Sequence, residues 1–121
     1  ELRTLEIPDT MDPEELFRRE WIRSLFAGAV EELRAECERE DRAMHFALFR
    51  RYDLEGPDAG ARITYSDLAR EHGTDVTTVT NRLHAVRKRF RGVVLERLRE
   101  LCADEREFRE EARELLGADG P

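Results

Sequence analysis

The sequence predicts an all-α fold: a helical domain of about five helices with a helix-turn-helix. Three observations carry this reading. Apolar residues recur at helical spacing along most of the chain, capping residues precede several of the periodic stretches, and a charged fraction of 40% beside only seven glycines and four prolines describes helices with solvated outer faces. Strands have little support. At 121 residues the chain has the usual size of one domain, able to bury roughly 65% of its unfolded surface in one core, and two small helical subdomains fit that size equally.

Residues 1–11, ELRTLEIPDTM, carry Pro8 and no sustained period, so they read as a linker or arm. Asp12, Pro13 and Glu15 then supply a cap, a proline at the first helical position and a capping-box acid. From there Phe17, Trp21, Ile22, Leu25, Phe26, Ala29, Val30, Leu33 and Cys37 keep a helical period to about residue 40, the main core helix. After a break at Glu40-Asp41, Met44, Leu48, Phe49 and Tyr52 mark a short amphipathic helix, with His45 as a packing residue at its edge. Gly56, Pro57 and Gly60 make the stretch from Glu55 to Ile63 a loop.

Thr64 caps the next helix, whose inner face holds Leu68 and Ala69, and Gly73 ends it. Asp75 caps a longer helix in which Val76, Val79, Leu83, Val86 and Phe90 form one apolar stripe. Val93, Val94, Leu95, Leu98, Leu101 and Cys102 extend that face to about residue 102. Asp104 and Glu107 are spaced as a capping box before a last helix, with Phe108, Ala112, Leu115 and Leu116 on its apolar side and Gly117 at its end. The chain thus divides into an arm (1–11), N-terminal helices packing on the reader (12–60), a helix-turn-helix DNA-reading unit (61–102) and an acidic C-terminal helix (103–121).

A net charge of −7 argues against nucleic acid until its distribution is read. Residues 76–99 carry seven cations against Glu96 alone, a local +6, while residues 100–121 carry eight acids against three arginines, a local −5. Local charge steers binding. At about 100° per residue, Thr77, Asn81, His84 and Lys88 lie opposite the apolar stripe, flanked by Thr78, Thr80, Ala85 and Arg91. In a helix-turn-helix, N-terminal residues of the second helix reach base edges and more distant cations meet phosphates.

Other chemistries find little in the residues. Cys37 and Cys102 are far apart and lack paired Cys or His spacing, so they read as buried thiols, with no metal or cofactor expected. Trp21 and Phe26 read as core. No nucleophile setting, acid–base pair or phosphate loop is recognisable, so the chain is not expected to be an enzyme and no catalytic residue is named. Without a signal peptide or an apolar run of about 20 residues, a cytoplasmic protein with no membrane partner is expected. The start at Glu1, without an initiator methionine, suggests an excised fragment that has lost an N-terminal partner domain.

The run Thr78-Val79-Thr80-Asn81-Arg82-Leu83-His84, followed by Arg87-Lys88-Arg89-Phe90 and preceded by Tyr65-Ser66-Asp67-Leu68-Ala69, resembles a known family. That family is region 4, the C-terminal promoter-reading domain, of bacterial extracytoplasmic-function sigma factors. The resemblance covers most of residues 14–116, its specific part lying within about 64–90, and Thr74 departs from it by standing where the family has an apolar residue. It implies a non-enzymatic domain that docks on the beta flap of the RNA polymerase core and places its second helix in the minus-35 element of promoter DNA. An anti-sigma regulator is a further candidate partner. The base-reading positions carry over to Thr77, Thr78, Thr80, Asn81 and Arg82, and His84, Lys88 and Arg91 suit phosphates. The alternative is a protein-interaction module that binds a polymerase subunit or an anti-sigma regulator, with incidental DNA contact.

Overall fold

A computed structural model of the chain describes residues 12–55 and 62–117. The arm expected over 1–11, the core of the Gly56-Pro57-Gly60 loop and the last four residues lie outside the described residues. Asp12 accepts a hydrogen bond from the Glu14 amide at 3.3 Å and opens α1 (Pro13–Arg39), although Glu15 does not complete the expected box. Asp41 ends that helix in the left-handed conformation at φ 59°, with the Arg42 amide donating to the Cys37 carbonyl at 2.8 Å. α2 (Ala43–Phe49) follows.

Thr64 opens α3 (Tyr65–Glu71) through a true capping box, the Asp67 amide donating to Thr64 Oγ1 at 3.0 Å and the Thr64 amide to Asp67 Oδ2 at 3.1 Å. α4 (Val76–Leu101) is capped by Asp75, and α5 (Glu105–Leu116) by Asp104. Glu107 reaches one residue further back than a capping box requires, accepting from the Ala103 amide at 2.7 Å. All regular structure among the described residues is helical, and no helix among them is long and apolar enough to cross a membrane.

α4 is the element on which the rest converges. Glu32 and Glu36 of α1 pair with Arg97 and Arg89 of α4, so the two helices run antiparallel. Two buried clusters lie along their length. In the first, Leu33 and Cys37 of α1 meet Leu48 and Phe49, Leu68 and Ala69, and Val79, Leu83 and Val86 of the first half of α4. In the second, Leu25 and Ala29 meet Val93, Val94 and Leu98 of the second half and Phe108 and Ala112 of α5. Phe90 touches both, its ring 5.1 Å from that of Phe49 and 6.1 Å from that of Phe26. Gly28 sits where the Arg97 guanidinium crosses α1, and any Cβ there would collide with it.

Three residues expected on apolar stripes are exposed. Val76 is 42% exposed because it occupies the first position of α4, before the helix has come under α3. Phe17 and Leu101, 72% and 56% exposed, face an open groove between the first turns of α1 and the corner of α4 and α5. A second difference follows α2. The expected helix through Tyr52 passes at Arg50 into a π-turn (Arg50–Leu54), closed by the Glu55 amide donating to the Arg50 carbonyl at 2.8 Å. Such turns are rare and re-aim side chains. This one brings Tyr52 to 5.1 Å from the Tyr65 ring and presents Asp53 to α4.

Candidate nucleic-acid interface

The candidate interface is built on how α3 holds the start of α4. α3 spans only seven residues, and its short inner face, Leu68 and Ala69, packs directly on Val79, Leu83 and Val86. Gly73 has φ 65°, which favours glycine, and lets the chain reverse within the four residues between the helices. The Thr74 amide donates to the Ala69 carbonyl at 2.9 Å, so the turn closes even with a polar residue there. Asp75 accepts from the Thr78 amide at 2.7 Å, and that bond holds its carboxyl below the usual range. Bonds from Thr64, with Arg70 beside them, do the same for Asp67.

With the inner face fixed, the outer face follows from helix geometry. Thr77, Thr80, Asn81, His84 and Lys88 are all exposed and form one polar row without a carboxylate. Threonine and asparagine supply short donors and acceptors, and Asn81 can pair bidentately with an adenine edge. Two expected base readers stand apart from this row. Thr78 is half-buried in the capped first turn, and Arg82 turns inward, its Nη1 3.0 Å from Met44 Sδ on α2. Arg91, expected at phosphate, is half-buried further along the helix.

The positive charge of α4 is less available than its composition suggests. Arg87 makes a two-pronged pair with Asp53, both contacts 2.8 Å, beneath the Tyr52 ring and 3.4 Å from the Tyr65 hydroxyl. Arg89 grips Glu36 at 2.7 and 2.9 Å and also reaches Glu96. Arg97 meets Glu32 at 2.9 Å, and Arg99 meets Glu105. These four carboxylates, all from outside residues 76–99, reduce the local +6 to +2. The pairing raises the pKa of Arg87 and Arg89 and holds the Glu36 carboxyl below its usual range.

No family model, curated protein or solved structure matches this chain. The geometry therefore has to carry the functional reading with the residues alone.

Composition overlooked those carboxylates because it counted charge by segment. Part of a signal was present for two of them, since antiparallel α1 and α4 bring Glu32 and Glu36 opposite Arg97 and Arg89 in reversed order, although the acids are four residues apart and the arginines eight. Asp53 had none, because only the π-turn aims it at Arg87. Elsewhere among the described residues, no group of three His, Cys, Asp or Glu is placed to hold a metal ion. Cys37 is buried and Cys102 half-buried, both as free thiols whose pKa burial raises.

Proposed function

We propose that this chain is a promoter-recognition domain of the sigma-factor type, in which α3 and α4 form a helix-turn-helix and α4 enters the minus-35 element while the domain docks on RNA polymerase. One observation carries the reading. The first turns of α4 present Thr77, Thr80 and Asn81 in an exposed, acid-free row, on a helix whose opposite side is locked under a seven-residue crossing helix. In this reading Asn81 reads a base and Thr77 and Thr80 add single hydrogen bonds or methyl contacts. Lys88 neutralises phosphate, with His84 and Arg91 as its neighbours on the backbone.

Selection of bound sequences from random DNA, with and without polymerase, tests the proposal. Asn81→Ala should lose about 1–3 kcal/mol of discrimination at one base pair. An unchanged sequence preference would refute the orientation of α4. The internal pairing of Arg87, Arg89, Arg97 and Arg99 favours one alternative, a protein-interaction module whose DNA contact is incidental. Selection that yields no preferred sequence even with polymerase present would favour that alternative.

A further inference from the structure

The end of the molecule remote from Thr77 carries a second feature that DNA reading does not use. The first turns of α1 and the corner between α4 and α5 enclose an open groove of ≈ 630 Å³. Its floor is apolar: Phe17 and Leu101 are the two most exposed large apolar side chains of the described residues, with half-buried Trp21 one turn along α1 from Phe17. Its rim is acidic. Asp12, Glu14 and Glu15 line one side, Glu107 and Glu111 the other, and Arg18 is the single cation among the described lining residues. Arg18 is already held by Glu111 and Glu114 at 2.8 Å and lies over the Trp21 ring. Isolated exposed apolar residues are ordinary, whereas apolar residues gathered in a trough with a one-signed rim are what helix-in-groove recognition uses.

We propose that this groove docks a cationic amphipathic helix of another protein, with two or three large apolar side chains seated on Phe17, Trp21 and Leu101 and flanking lysines or arginines facing the rim. Charge selects this occupant over the others. Residues 1–11, which lead into the groove at Asp12, carry Glu1, Glu6 and Asp9 against Arg3 and so bring the wrong sign. A symmetric second copy would place acidic rim against acidic rim, and an anionic membrane surface would be repelled in the same way. The outer row of α4 offers Lys88 but no large apolar side chain. The inference does not rest on DNA reading.

The chain's only tryptophan, Trp21, lines the groove and reports its occupancy directly. The probe is a synthetic leucine–lysine amphipathic peptide of about five helical turns without tryptophan, titrated into the whole chain. Its controls are the same pattern with glutamate for lysine and with serine for leucine. The leucine–lysine peptide should change Trp21 fluorescence saturably, and the two controls should not. Phe17→Ser, and separately Glu14→Lys with Glu15→Lys, should weaken binding about tenfold or more, as loss of a central contact does. Glu31→Lys, a charge reversal elsewhere on α1, should leave it within about twofold.

Circular dichroism verifies that each variant is folded, which the exposure of these side chains favours. Equal binding of the glutamate peptide, equal loss on Glu31→Lys, or a silent Trp21 would overturn the proposal. A Trp21 response that follows protein concentration alone, with dimers in sedimentation, would overturn it in favour of a second copy. A response to deleting residues 1–11 would overturn it in favour of that segment. Binding of a DNA duplex by Phe17→Ser should match the wild type, so the two readings fail separately.

Discussion

The pairing of the α4 arginines sets the salt dependence of any DNA complex, and Asp53→Asn tests it. If all seven cations of residues 76–99 met phosphates, affinity would fall with salt at a log–log slope of about −6, more than a thousandfold between 50 and 200 mM. With Arg87, Arg89, Arg97 and Arg99 engaged inside the fold and Arg82 turned to Met44, Lys88 gives about −0.9, and Lys88 with Arg91 drawn from its own contacts onto phosphate gives at most about −1.8, roughly twelvefold over the same range. Asp53→Asn removes the charge that holds Arg87 while leaving Tyr52 and Tyr65 beside it. The slope should then steepen by about 0.9, to roughly fortyfold, with tighter binding at low salt. The Arg87 and Asp53 side chains are 41% and 26% exposed, so the change costs at most about 1 kcal/mol of stability. Fluorescence anisotropy of a labelled duplex across a chloride series measures the slope. A wild-type slope near −6 would mean that the ion pairs open on DNA, and an Asp53→Asn slope equal to wild type would place Arg87 out of reach of phosphate. Either result refutes the reasoning.

Three further outcomes are expected. Leu98→Ala removes a fully buried side chain at the centre of the second core and should cost about 2.7–5 kcal/mol in urea unfolding. Gly28→Ala should stabilise by about 1 kcal/mol when Arg97 is already alanine, and by clearly less in the wild type, where the added methyl displaces the guanidinium from Glu32; an equal gain would show that Arg97 does not hold that crossing. Burial, reinforced by Arg42 and Arg82, keeps His45 below its ordinary 6.5, and its Nδ1 is buried without a partner. The unfolded chain therefore takes up that proton first, so stability is fully present above about pH 6.5 and falls as the pH drops through that value. The carboxylate of Glu36 adds its own loss only below its ordinary 4.5. His45→Gln should flatten the decline in urea midpoint between about pH 6.5 and 5, and an unaltered decline would assign it elsewhere.

Most of the helices were legible in the chain because their starts are written locally. Asp12, Thr64, Asp75 and Asp104 each accept the amide hydrogen bond that a cap requires, and each stands directly before its helix. The inner stripe of α4 was legible for the same reason, except at Val76, where being at the helix end matters more than its angle. What depended on two distant segments meeting was not legible. The turn of Arg82 toward Met44, the grip of Asp53 on Arg87 and the groove at Phe17 and Leu101 arise from how α1, α2 and α5 lie against α4. Helical period assigns an angle to a residue, but it does not say whether another helix covers that angle.

The two cores strung along α4 have a mechanical consequence. A helix anchored in one cluster can still roll or slide a little, but one keyed at both ends and pinned at Phe90 between them cannot turn about its own axis without breaking both. The azimuth of Thr77, Thr80, Asn81 and Lys88 is therefore fixed relative to α5, roughly 39 Å of rigid shaft from one end of α4 to the other. Whatever grasps the molecule at the far corner also aims that row.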